Sequence, residues 1–138
     1  MDTNITKPPL VTILVATYNR AHYVGAAIES AQSQSLRDWE LLVLDDASTD
    51  NTEEVVKGIT STDSRIIYVK HPQNKGIAEN RNAGLALARG QYIAILDSDD
   101  LWTDDHKLEK QVAHLAAHPD CVAVGTFVSV IDENGATT

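Results

Sequence analysis

Apolar runs of strand length alternate along this chain with stretches whose apolar residues recur at helical spacing. The runs at residues 10–16, 40–44, 65–70, 91–96 and 121–131 are rich in Val, Ile and Leu. Runs with little polar alternation suit strands covered on both faces. Val24, Ala27, Ile28 and Ala31 fall at i, i+3, i+4 and i+7, one stripe of an amphipathic helix over residues 21–35. Asp50 and Glu53 have capping-box spacing and predict a helix over 51–61. Residues 76–89 read as a helix closed by Gly90. Thr103 is placed to cap a helix over 103–117, with Leu108, Val112 and Leu115 on its apolar stripe and Pro119 beyond it. The order β-α-β-α-β-α-β-α-β with short connections predicts an α/β fold. Its sheet is expected to be mostly parallel, with helices on both faces.

Ligands of such sheets sit outside the carboxyl ends of the strands. The loops there are 17–20, 45–50, 71–76 and 97–100, and three of them hold the densest polar chemistry in the chain. Residues 1–9 read as a flexible leader and 10–131 as the domain. Asp132-Glu133-Asn134-Gly135 is a hairpin-turn signal followed by only three residues. Residues 132–138 are therefore expected to be a truncated hairpin turn in a polypeptide that continues.

Charge sharpens the picture. The chain has 138 residues, with 11 Lys and Arg against 20 Asp and Glu, for a net charge of −9. One acidic window holds Asp45, Asp46, Asp50, Glu53 and Glu54. Another holds Asp97, Asp99, Asp100, Asp104 and Asp105. The remainder is close to neutral, so the excess is local. An acidic chain lacks the basic face that grips nucleic acid or anionic lipid. The single cysteine, Cys121, excludes an intrachain disulfide and a Cys-based zinc site. No apolar run approaches the roughly 20 residues that span a bilayer. The polar start lacks a signal-peptide core. A cytoplasmic protein is expected, with attachment to the inner membrane face left to other segments. The five histidines form no metal-ligand pattern, and G-x-G-x-x-G, Walker A and G-x-S-x-G motifs are absent.

Asp97-Ser98-Asp99-Asp100 puts three carboxyl groups within four residues after a buried strand. Like charges that close favour protonation unless a cation is present. Hard oxygen ligands select Mg²⁺ or Mn²⁺, and one or two carboxylates suffice when phosphates complete the shell. A solvated acidic turn is the alternative, and it is the preferred reading for Asp104 and Asp105, which favour a helix dipole. Asp45-Asp46 ends the second apolar run and could accept hydrogen bonds from a base or ribose, or simply build a turn. In 17–20, Tyr18 could stack and Arg20 could meet phosphate. Spacing alone favours a solvated Arg81.

Taken together, these residues resemble glycosyltransferase family 2, with the GT-A fold and its Rossmann-like sheet. The resemblance is carried by residues 11–20 (VTILVATYNR), 30–35 (SAQSQS), 39–50 (WELLVLDDASTD), 74–85 (NKGIAENRNAGL) and 90–100 (GQYIAILDSDD). It implies transfer of a sugar from a nucleotide-diphosphate donor, with a UDP-sugar favoured, to a hydroxyl of an unidentified glycan, lipid or protein. By resemblance Thr17 and Tyr18 line the base pocket and Asp46 contacts the base. Arg20, Arg81 and Ser98 belong to the donor site, and Asp97 and Asp99 match the DxD metal motif for Mn²⁺ or Mg²⁺. It also implies an inverting, metal-dependent reaction whose catalytic base lies later in the domain, so no catalytic base is assigned. Two departures stand out: Ala47 where Gly is common, and Asn80 where Ala is common.

Two rivals predict different residues. A nucleotidyltransferase calls for a Gly-rich basic loop after the first strand, where Thr17-Tyr18-Asn19-Arg20 stands. A receiver-like module calls for an acidic pair there and a Lys after the fifth strand, and no Lys follows residue 110. A non-catalytic scaffold and a homo-oligomer formed through an exposed sheet edge also remain open.

Overall fold

The computed structural model describes residues 7–138, so the first six residues of the expected leader lie outside it. Four parallel strands form the sheet: β1 (Val11–Thr17), β2 (Trp39–Asp45), β3 (Ile66–Lys70) and β4 (Tyr92–Ile95). Four helices follow them in turn: α1 (Val24–Gln32), α2 (Thr52–Thr60), α3 (Ile77–Leu87) and α4 (Lys107–Ala117). The spatial order is β3-β2-β1-β4. The sheet grows outward from β1 in one direction through β2 and β3, then restarts on the other side of β1 with β4. That reversal is a topological switch point, where a crevice opens between the loops after β1 and β4.

The two faces of the sheet are covered unequally. Val11, Ile13 and Val15 of β1 and Trp39, Leu41 and Val43 of β2 share a core with Val24, Ala27 and Ile28 of α1, Val56 of α2 and Leu108 of α4. The intervening residues Leu14, Leu42 and Leu44 point to the other face. There α3 lies so close that a Cβ on Gly84 would sit 2.3 Å from Leu44 Cδ1. Strands buried on both faces explain why β1 and β2 read as continuous apolar runs. β4 is an edge strand, and its Ile93 and Ile95 are exposed.

Four local expectations are corrected. Residues 121–131 do not form a fifth strand; Val122, Phe127 and Val128 are exposed, and only Ile131 makes an isolated bridge, to Thr137. A strand exists only against a neighbour, and among the described residues none pairs along this run. Gly90 does not cap α3, which ends two residues earlier with Ala88 extended. Gly90 is there because a Cβ would lie 2.4 Å from the Thr12 backbone nitrogen. The capping box is also absent, as is a Thr103 cap: α2 starts from Asn51 and α4 from His106, neither with a side-chain cap. Asp50 instead accepts the Thr52 N–H and hydroxyl, and Glu53 pairs with Lys57 and Lys70. Those two lysines draw the Glu53 carboxyl down to about 2. The turn at 132–135 does form, with Asp132 Oδ1 accepting the N–H groups of Asn134 and Ala136 and Gly135 at φ 81°.

Candidate functional site

A cleft of about 480 Å³ lies over the carboxyl ends of β1, β2 and β4. It is lined by Thr17, Tyr18 and Arg20 after β1, Asp46 after β2, Asn74, Gly76, Ile77 and Asn80 around the start of α3, and Asp97, Ser98 and Asp99 after β4. Seven of the eight residues singled out from sequence therefore share one wall-to-wall space. The eighth, Arg81, stands just behind it and donates to Asp97 Oδ1.

The β1–α1 loop is fixed by Asn19, whose φ of 51° turns the chain sharply. Its N–H donates to Ser48 Oγ at 2.9 Å, and its side-chain Oδ1 accepts the Thr49 N–H at 2.8 Å. Arg20 N–H reaches Thr52 Oγ1 at 3.0 Å and Ala21 N–H reaches Asp50 Oδ2 at 3.1 Å. The loops after β1 and β2 are thus stitched together beneath Tyr18, which is 45% exposed at the cleft. The sequence signal for this role of Asn19 is an Asn in a tight polar loop, a residue that tolerates positive φ.

The neighbouring acids Asp45 and Asp46 divide their work. Asp45 is fully buried and accepts the Ser48 N–H at 2.7 Å and the Tyr68 hydroxyl. Burial and the Asp45 carboxylate push the Tyr68 hydroxyl far up, so it stays a donor. Asp46 faces the cleft, and its two oxygens accept the N–H groups of Lys75 and Gly76 at 2.8 Å each. Each carboxylate oxygen keeps a second lone pair for a ligand. Ala47, the departure from the family pattern, sits at φ 65°, which explains why glycine suits that position.

The acidic loop is anchored by Trp102, whose N–H donates to Ser30 Oγ of α1 and whose ring carries Lys107 Nζ 4.6 Å from its centroid. Asp97 and Asp99 flank buried Ser98. Arg20 Nε lies 3.6 Å from Asp99 Oδ2. Asp100 turns the loop through its N–H to Asp97 O, and partial burial together with the Asp97 and Asp99 charges raises its carboxyl pKa. Among the described residues no three His, Cys, Asp or Glu side chains gather around one point. Two hard carboxylates on one cleft wall, Asp97 and Asp99, fit a divalent cation whose other ligands arrive with a diphosphate.

Of the five buried side-chain polar atoms without partners among the described residues, three lie at or beside this cleft, and the other two, Trp39 Nε1 and His71 Nε2, do not line it. Thr17 Oγ1, Asn80 Oδ1 and Arg81 Nε have none, although Asn80 Nδ2 donates to Leu44 O at 2.8 Å. Asn80, in sequence only a departure from the family pattern, lines the cleft. Buried polar groups are normally paired, so such a cluster suits a ligand or ordered water.

The 3-2-1-4 parallel sheet, with its switch-point cleft walled by strand-end carboxylates, matches the fold of solved GT-A glycosyltransferases. The sequence profile described as glycosyl transferase family 2 matches residues 12–138, and the chain belongs to that family. An uncharacterised glycosyltransferase of Methanocaldococcus jannaschii is 39% identical over 129 residues, covering 92% of this chain and 44% of that protein. An Escherichia coli protein named UDP-Glc:alpha-D-GlcNAc-diphosphoundecaprenol beta-1,3-glucosyltransferase is 44% identical over 103 residues, covering 75% of this chain and 40% of its own length. The chain thus spans less than half of either relative. A mannosyltransferase of Pyrobaculum calidifontis, solved with GDP-Man and Mn²⁺, superposes with a TM-score of 0.74 at 31% identity, over 80% of this chain and 33% of that one. Family membership sets aside the receiver-like and nucleotidyltransferase readings. Among the described residues no helix is long and apolar enough to cross a membrane.

Proposed function

We propose that residues 10–131 form the donor-binding part of an inverting, metal-dependent glycosyltransferase. The observation that carries this reading is the single cleft shared by Thr17, Tyr18, Asp46, Asp97 and Asp99. Relatives named for UDP-Glc and solved with GDP-Man support a nucleotide-diphosphate sugar as the ligand, and the former favours UDP.

In this reading the Tyr18 ring packs against the base and Thr17 Oγ1 hydrogen-bonds the nucleoside. The spare lone pairs of Asp46 accept a base N–H or a ribose hydroxyl. Arg20 meets phosphate with a planar fork of donors. Asp97 and Asp99 hold Mn²⁺ or Mg²⁺, with Asp99 the more direct ligand and Ser98 buried between them. When bound, the cation supplies charge against the diphosphate leaving group. Residues 10–131 orient the donor and shield its diphosphate. No residue of this chain is assigned to the acceptor pocket or to the carboxylate base that deprotonates an acceptor hydroxyl; the chain covers 44% and 40% of the two relatives' lengths. An exposed β4 edge leaves a homo-oligomer open.

Saturation-transfer NMR with UDP-glucose and Mg²⁺ tests the reading. Transfer to uracil and ribose protons is expected, lost in Asp99→Ala with its amide spectrum still dispersed. Equal transfer from wild type and Asp99→Ala would remove the cation from the donor site. The absence of transfer to UDP-glucose and to GDP-mannose alike would remove the donor site itself.

A further inference from the structure

Asp97 and Asp99 are both already paired with arginine. Arg81, on α3, donates through one terminal nitrogen to Asp97 Oδ1. Arg20, on the β1–α1 loop, lies with Nε 3.6 Å from Asp99 Oδ2. The four side chains are between 34% and 52% exposed, at one wall of one cleft. Arg81 uses only part of its fork: its Nε is buried and has no partner. Two guanidinium groups from separate elements thus neutralise the two carboxylates read as cation ligands.

We propose that Arg20 and Arg81 are exchange residues, which pair with Asp99 and Asp97 until the donor binds and turn to the donor diphosphate when a divalent cation takes the carboxylates. The inference rests on the nucleotide-sugar reading above. Its logic is charge pairing. A divalent cation arriving alone must displace two guanidinium groups and leave them uncompensated. A diphosphate arriving alone meets two carboxylates. Arriving together, cation and diphosphate bring opposite charges, and every group in the cleft finds a new partner. Half-exposed ion pairs are weak, and long arginine side chains reorient readily, so the exchange is inexpensive. Arginine is also the side chain whose fork matches phosphate oxygens in pairs. Arg81, which spacing alone left solvated, gains a defined role.

Such an exchange makes cation and nucleotide bind cooperatively, each raising the affinity of the other by one common factor. It also makes a specific prediction that a passive surface ion pair does not. Removing an arginine frees a carboxylate, so the cation alone binds better while the nucleotide binds worse.

The test is Mn²⁺ titration followed by the electron paramagnetic resonance signal of free Mn²⁺, with and without UDP, on wild type, Arg81→Gln and Arg20→Gln. Circular dichroism verifies folding, and Arg20, on an exposed loop, supplies the variant if Arg81→Gln does not fold. Expected is a threefold or greater gain in affinity for Mn²⁺ alone in each folded variant, with a smaller enhancement by UDP than in wild type. Affinity for Mn²⁺ alone that is unchanged or lower in the folded variants, with wild type still binding UDP and Mn²⁺ together, overturns the exchange and leaves the donor reading intact. Failure of wild type to bind UDP at saturating Mn²⁺ overturns the donor reading and the exchange with it.

Discussion

Asp46 and Gly76, thirty residues apart, are joined by a 2.8 Å hydrogen bond from the Gly76 N–H to Asp46 Oδ2. Oδ1 takes the Lys75 N–H at the same distance, so one carboxylate closes the β3–α3 loop over the cleft. Gly76 sits at φ 85°, a conformation that frees its N–H to point inward. Asp46→Asn turns one acceptor into a donor facing an N–H. Loss of a charged hydrogen bond of this kind costs about 1.5–3 kcal/mol. Amide exchange measured at Lys75 and Gly76 is expected to accelerate by tenfold or more, while exchange in β1 and β2 slows or speeds only with global stability. Unchanged exchange at both amides would show that the loop closes without Asp46.

Asn19 does for the first loop what Asp46 does for the third. Asn19→Ala removes the acceptor of the Thr49 N–H and places alanine at φ 51°. The left-handed conformation alone costs a non-glycine residue roughly 1–2 kcal/mol. Asn19→Gly keeps the conformation but not the acceptor. Denaturant melts are expected to rank wild type above Asn19→Gly above Asn19→Ala. UDP affinity should fall in both variants, because the backbone that carries Tyr18 and Arg20 has lost its latch. Equal UDP affinity in all three would reduce Asn19 to a stability residue.

Glycine and alanine sit at two positions where the backbone sets opposite demands. At Gly90 a Cβ would lie 2.4 Å from Thr12 N and 2.7 Å from the Val11 carbonyl carbon. Backbone atoms inside a sheet cannot give way, so Gly90→Ala should cost about 3 kcal/mol, at the upper end for overpacking. Ala47 at φ 65° should gain about 0.5–1 kcal/mol on replacement by glycine, the relief of strain exceeding the added chain entropy. Urea unfolding of both variants checks the signs, and an undiminished stability of Gly90→Ala would contradict the close approach of Gly90 to Thr12.

Glu40 supplies the pH dependence. It is buried at the opposite end of the sheet from the cleft, accepting hydrogen bonds from the Thr12 hydroxyl and from the Arg89 N–H and guanidinium. Burial alone would raise its carboxyl, but the Arg89 N–H, the Thr12 hydroxyl and the Arg89 guanidinium together hold it below its ordinary value. A carboxyl lowered in the fold contributes stability that is fully present above its unfolded pKa of about 4.3. That stability is lost as pH falls through the lower folded value. Glu40→Gln should therefore cost about 2 kcal/mol at pH 7, below the roughly 3–5 kcal/mol for breaking a fully buried pair because Arg89 is half-exposed. The gap from wild type should shrink steadily below pH 4.5. A gap independent of pH between 7 and 3 would contradict the ionised network.

What was legible in the sequence is what rests on periodicity and on strand ends. Unbroken apolar runs gave β1 and β2 because both faces of those strands are covered. The α1 stripe of Val24, Ala27, Ile28 and Ala31 is buried as spaced. The polar loops fell on one edge because parallel strands all end there. Residues 121–131 carry the same strand-like pattern but pair with no strand among the described residues, and pairing is a tertiary property that no local run encodes. The roles of Asn19 and Asn80 lay out of reach for a related reason, since their partners Ser48 and Leu44 stand 29 and 36 residues away. The division of labour in Asp45-Asp46 shows both sides: sequence located the pair, and only the packing of Tyr68 against Asp45 shows which acid is withdrawn from the cleft.

The most direct test of the donor cleft is calorimetric titration of the folded 138-residue chain with UDP, and with GDP alongside, in Mn²⁺ and again in EDTA. Saturable one-to-one binding is predicted in Mn²⁺, at least tenfold weaker in EDTA, with UDP preferred. Absence of binding by either nucleotide to the folded chain, with Mn²⁺ or without it, would contradict the assignment of this cleft to a nucleotide-sugar donor.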